Sequence, residues 1–143
     1  MLRRIIVTAL AVLTVAAISA TPASAARVLK DFDIYNPSGR GGDWRGRMII
    51  DSTAVRFTGN VHPSLTKATA YGCISASVSG CNLVGAAKTL GVVDGRTESQ
   101  LLEIDKTFSK TSGQSAWVRT CFLHRNGVTN CTSWTAGHAP TFP

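Results

Sequence analysis

The stretch CFLHRNGVTNC, residues 121–131, sets two cysteines ten positions apart around Arg125-Asn126-Gly127, and the way they pair decides the fold. Two such cysteines can be half of a metal site, a reactive thiol with its partner, or a staple. Suppose Arg125-Asn126-Gly127 is a three-residue loop, a type I turn followed by Gly127 in the left-handed region; then His124 closes it opposite Val128. Counting outward, Leu123 faces Thr129, Phe122 faces Asn130 and Cys121 faces Cys131. That register puts the cysteines at a non-hydrogen-bonded site, where Cα atoms approach to roughly 4.5 Å, within disulfide reach. A two-residue Asn126-Gly127 turn would set Cys131 against Phe122 and leave the sulfurs out of step. The spacing therefore predicts a stapled β-hairpin. Closing its eleven residues is worth roughly 2.5 to 3 kcal/mol in loop entropy.

Cys73 and Cys81 form a second close pair, eight apart, and a local Cys73–Cys81 bridge is expected beside Cys121–Cys131. Zinc would need C-x2-4-C pairs or histidines at ligand spacing, which His62, His124 and His138 do not supply. No metal or other cofactor is expected. An even cysteine count read as disulfides implies an oxidising compartment. The start of the chain agrees: Arg3 and Arg4, then a mostly apolar run from Ile5 to Ser19, then Ala23-Ser24-Ala25, the three parts of a secretory signal peptide. That run is shorter than the ~20 residues of a membrane span, so residues 1–25 are expected to be removed, with no transmembrane anchor afterwards. Residues 26–143 then form one secreted, extracellular domain.

Cleavage also removes two of the fifteen basic residues, leaving 13 positive against 8 negative charges, a formal +5 rather than +7. A surplus of this size favours attraction to anionic polymers. The bases are scattered, with no Lys/Arg run and no basic helix, so no specific nucleic-acid partner is expected.

The rest of the chain reads as strands punctuated by turns. RVLKDFDIY (27–35) alternates and ends at the turn cluster Asn36-Pro37-Ser38-Gly39. Residues 38–46, SGRGGDWRG, are rich enough in glycine to be read as an irregular, mobile loop. RMIID, AVRFTGNV, ATAYGCISA and CNLVGAAKTLGVV follow as short strands. In LLEIDKTF, Leu102, Ile104 and Phe108 share one face and Glu103 and Asp105 the other. The tail, 136–143, reads as irregular. No window of twelve residues after the leader carries an unbroken 3.6-residue apolar stripe. The expected fold is therefore all-β: a small antiparallel β-sandwich or barrel of about seven to eight strands with two local disulfides.

On the hairpin, alternation groups Val118, Phe122, Val128 and, by extending the register, Trp134 on one face, the better core. Trp117, Arg119, Leu123 and the disulfide share the other. An outward Trp117 and Arg119 can stack on sugars or flat apolar groups. Trp44 flanked by Arg45 and Arg47 in the glycine-rich loop suits an anionic or sugar ligand, and glycines there would expose N–H groups to a phosphate. Together with His124 and Arg125 at the hairpin tip, these are the candidate ligand-binding residues: Trp44, Arg45, Arg47, Trp117, Arg119, His124 and Arg125.

Catalytic residues are harder to assemble. There is no G-x-S-x-G elbow, and oxidised cysteines are not nucleophiles. Glu103 and Asp105, roughly 7 Å apart along a strand, read as a solvated face rather than a glycosidase pair. A small ribonuclease or glycan hydrolase could group His124, Glu103, Arg119 and Arg125. The leading expectation is non-catalytic: a module binding an anionic surface polymer, glycan, small ligand or extracellular protein through disulfide-braced loops. A proteinase inhibitor presenting Ser75–Gly80 or His124–Val128 is the alternative, and the small hydrolase comes third. In size and in its two short cysteine loops (Cys73–Cys81, Cys121–Cys131) the chain is similar to the enediyne-carrying apoproteins, small secreted β-sandwiches. It departs from them in being basic, and the resemblance implies architecture alone.

Overall fold

The computed structural model describes residues 27–97 and 100–137. The expected leader, 1–25, lies outside them, as does the tail beyond Gly137. Among the described residues there are nine strands and one helical turn: β1 Val28–Tyr35, β2 Asp43–Ile50, β3 Ala54–His62, β4 Lys67–Ser75, α1 Val78–Cys81, β5 Ala87–Asp94, β6 Leu102–Ser109, β7 Ser115–Leu123, β8 Thr129–Cys131 and β9 Thr135–Gly137. They build two antiparallel sheets, one ordered β1-β2-β3-β6 and the other β5-β4-β7-β8, with β9 also pairing β7. The all-β sandwich with two local disulfides is the fold the alternation implies.

The core lies between the sheets because each strand turns one parity inward. The four-stranded sheet contributes large side chains: Phe32, Ile34, Trp44, Met48, Ile50, Val55, Phe57, Val61 and Ile104. The five-stranded sheet answers with small ones, Ala68, Ala70 and Ala116, between Leu90, Val93, Val118 and Phe122. Large against small lets the two inner faces interdigitate at close packing. The Phe32 and Trp44 rings meet edge to face, 4.7 Å apart.

Both disulfides join the expected partners. In the hairpin, Cys121 pairs with Cys131, Phe122 with Asn130 and Leu123 with Thr129, and the cysteine Cα atoms stand 4.0 Å apart. His124 and Val128 close the loop through the His124 N–H to the Val128 carbonyl, 2.9 Å, and Gly127 adopts φ +83°. The three-residue loop holds.

Three expectations are corrected. The loop expected over 38–46 is irregular only as far as Gly42, because Asp43 to Gly46 already pair with Tyr35 to Phe32 in the β1–β2 ladder. The turn is closed by the Asn36 N–H on the Gly42 carbonyl and by an Asx turn, Asn36 Oδ1 accepting the Ser38 N–H. At the other end, Ala136 and Gly137 belong to β9 rather than to an irregular tail, and Gly137 seats its backbone against the side-chain ends of Ile50 and Met48. Finally, Val128, which closes the hairpin loop opposite His124, is half exposed at the tip instead of lying in the core.

Candidate functional site

Ala68 and Ala70 of β4 and Val118, Thr120 and Phe122 of β7 face the core, so the alternate residues of both strands face out. The register sets Tyr71 beside Arg119, Thr69 beside Cys121 and Lys67 beside Leu123. With Thr129 and Cys131 these outward residues line an open trough of about 450 Å³ floored by the Cys121–Cys131 disulfide. At one end the Arg119 guanidinium lies between two rings, 5.5 Å from the centre of Tyr71 and 4.5 Å from that of Trp134. The Nε atom of Arg119 is buried and has no hydrogen-bond partner. Trp134 is aimed by its Nε1–H, which donates to Asn82 Oδ1 at 3.1 Å. Asn82 follows Cys81, so the first disulfide loop fixes the ring that covers Arg119. Trp117, half-buried on the same outer face, donates its Nε1–H to the Ser75 carbonyl at 3.3 Å.

Trp134 therefore sits on the side opposite to the expected one. Extending the hairpin register would put it across from Val118, facing the core. Instead Thr132 donates its N–H to the Thr120 carbonyl, and β9 resumes with Thr135, not Trp134, opposite Val118. Ser133 and Trp134 together face the single residue Arg119, as in a β-bulge, and the extra residue reverses the face.

Trp44, Arg45 and Arg47 do not join this site. Trp44 is fully buried, so it cannot contact a ligand. The reason is the strand itself: with Asp43, Arg45 and Arg47 on the outer face, Trp44, Met48 and Ile50 go inward. Arg45 lies between Asp43 at 2.7 Å and Asp33 at 3.4 Å, and Arg47 donates to both carboxylate oxygens of Asp31. Arg56 holds Asp105 in the same way, and His62 Nδ1 lies 3.1 Å from Asp43. Arg45, Arg47 and Arg56 on the outer face of the four-stranded sheet are thus each matched by an aspartate. The Arg partners hold the Asp31 and Asp105 carboxyls below their ordinary range.

At the end of the sandwich the hairpin tip meets the β1–β2 loop. His124, expected among the ligand-binding residues at the hairpin tip, is buried, and its Nε2 lies 3.3 Å from Ser38 Oγ. This pair resembles a nucleophile and its base, but the proton is on the wrong side. Asn36 Nδ2 donates to the Gly41 carbonyl, which fixes Oδ1 as the atom facing Ser38; the Ser38 hydroxyl donates to that oxygen at 2.9 Å. His124 must then donate from Nε2 to Ser38, so it cannot deprotonate the hydroxyl. Arg125 donates to the Arg96 carbonyl at 3.1 Å. Glu103 lies opposite Asn60 on the outer face of the other sheet, so the grouping of His124 with Glu103 and arginines does not form. His138 lies outside the described residues. The glycine-rich loop spends the N–H groups of Asn36, Ser38 and Gly39 on itself, which removes them from a backbone phosphate cradle.

Comparison of the chain with protein-family models, with curated proteins and with solved structures finds no match. The likeness to enediyne carriers accordingly carries no argument beyond the two-sheet architecture.

Tyr71 and Lys67 are the site residues that the sequence reading passed over, and Trp134 is the one it assigned to the core face. Tyr71 was legible: in ATAYGC it shares its parity with Thr69 and Cys73, opposite the two alanines.

Proposed function

We propose that the protein is a secreted, non-catalytic module whose five-stranded outer face binds an anionic glycan or cell-envelope polymer. One contrast supports this reading. Arg45, Arg47 and Arg56 on the four-stranded face are each matched by an aspartate, whereas Lys67 and Arg119 line a trough with no carboxylate among its lining residues. Lys67 shares Asp94, its cross-strand neighbour, with Arg96, which holds that carboxylate at 2.7 Å, so the contrast rests chiefly on Arg119. Arg119, a cation between two aromatic rings with no aspartate beside it, suits a chain of sugars carrying acidic groups, which stack through their apolar faces and pair through their charges. Secretion is supported by the leader-like start and by two disulfides, the usual cross-links of an oxidising compartment.

The proteinase-inhibitor reading has less support. Ser75–Gly80 runs into the helical turn α1, whereas a protease cleft takes an extended segment. The hydrolase reading finds no assembled nucleophile or acid–base pair among the described residues.

Affinity electrophoresis against a polyuronate, with neutral dextran as reference, tests the proposal. Arg119→Gln and Trp134→Ala are expected to weaken retardation about tenfold, while Arg47→Gln, the same charge change on the other face, leaves it intact. Equal losses from Arg47→Gln and Arg119→Gln, or none from either, would overturn the assignment.

A further inference from the structure

A second cavity, independent of the trough, opens between the β1–β2 loop and the hairpin tip. Its volume is about 230 Å³, and it is lined by Ser38, Arg40, His124, Asn126, Val128 and Asn130. At about 30 Å³ per water that is space for seven or eight water molecules, enough for one small ion and part of its hydration shell. We propose that this pocket binds a tetrahedral oxyanion, a phosphate or sulfate group.

The chemistry of the lining carries the inference. Arg40 is exposed and forms no ion pair among the described residues, so its guanidinium is available at the mouth. Asn126 spends its Oδ1 on the Val128 N–H at 3.1 Å, which leaves its amide NH2 as the group to offer a ligand. Asn130 adds a second amide. His124 is held in one orientation by the Asn36–Ser38 chain, and the lining contains neither a carboxylate nor an aromatic ring. A sugar needs acceptors for its hydroxyls and usually a ring to stack on; an oxyanion needs donors and positive charge, and this pocket supplies those. The two halves come from opposite sheets. The hairpin tip contributes His124, Asn126 and Asn130, and the glycine turn of the first sheet contributes Ser38 and Arg40, so the site exists only once the sandwich has closed.

Titration of the full chain with inorganic phosphate, sulfate, glucose 1-phosphate and acetate, followed by NMR of the assigned His124 ring, tests this. Phosphate or sulfate is expected to shift the ring resonances saturably, with acetate much weaker. Glucose 1-phosphate shifting them as well would identify the terminal group of a polymer; inorganic ions alone would identify a free-ion site. Arg40→Gln is expected to weaken binding about tenfold or more. Asn126→Asp keeps the acceptor for Val128 while replacing the NH2 donor with a negative charge, and should do the same. Arg119→Gln should leave it unchanged, which separates this pocket from the trough. Absence of a saturable shift, an equal response to acetate, or unchanged affinity in both pocket variants would overturn the proposal.

Discussion

The Arg119 guanidinium lies 4.5 Å from the centre of the Trp134 ring because one extra residue between Thr132 and Thr135 turns the indole outward. The contact joins β7 to the segment leading into β9, and through Asn82 it reaches the first disulfide loop. Arg119 thus belongs both to this stabilising contact and to the candidate trough.

Trp134→Ala should lower unfolding stability by about 1–2 kcal/mol, since it removes a partly desolvated cation–π contact and a hydrogen bond. Arg119→Ala in the Trp134→Ala background should then cost less than it does alone. A double-mutant cycle by urea denaturation measures the difference, and strict additivity would show that the two side chains do not interact.

Replacing Cys121 and Cys131 by alanine should cost roughly 2.5–3 kcal/mol by loop entropy. The flanking pairs, Phe122 with Asn130 and Leu123 with Thr129, remain available to hold the register. Denaturant titration of the double variant checks the magnitude; a loss under about 1 kcal/mol would mean the open hairpin is already ordered when unfolded.

Gly46 and Gly59 face each other across β2 and β3, and a Cβ on Gly46 would fall 2.0 Å from the Thr58 carbonyl oxygen. It would also meet the Phe32 ring at 2.8 Å. Gly46→Ala should therefore cost about 3 kcal/mol or more through overpacking of the central ladder. Gly127→Ala strains only a left-handed turn residue with open space around it and should cost about 1–2 kcal/mol. Thermal melts of the two variants test the order.

Acid should destabilise the protein in a defined window. Hydrogen bonds from the Arg96 side chain hold the Asp94 carboxyl down to about 2, from an ordinary 3.8. Asp51 is lowered by backbone N–H groups of Thr53 and Ala54, and Asp31 and Asp105 by Arg47 and Arg56. Depressed carboxyls stabilise the fold above the unfolded value and lose that contribution as pH falls through the folded one. Stability should be flat above about pH 4.5 and fall between about pH 4 and 2, less steeply at high salt because Asp31 and Asp105 are exposed. Asp94→Asn should be less stable at neutral pH and show a shallower fall in that window.

The His124 ring should carry its proton on Nε2 when neutral, because Ser38 has given its own hydrogen to Asn36. Nitrogen chemical shifts distinguish the two tautomers. Ser38→Ala should leave the buried Asn36 and His124 each short of a partner and cost about 1–3 kcal/mol.

The amino-acid sequence by itself determined what is local. Loop length and cysteine spacing specified the hairpin register and its bridge, since pairing two strands across a three-residue turn leaves one geometry in which both sulfurs meet. Alternation specified sheet over helix and put Leu102, Ile104 and Phe108 on one side. Trp44 was legible too: Asp43, Arg45 and Arg47 alternate with Trp44, Gly46 and Met48, a signal obscured by reading the glycines as a loop. Only the tertiary structure decided that Trp134 faces Arg119 and that Ser38 meets His124. The first turns on a bulge that shifts parity by one residue, and no spacing rule marks where a ladder slips. The second joins residues 86 positions apart on opposite sheets, brought together when the two inner faces close on a common core.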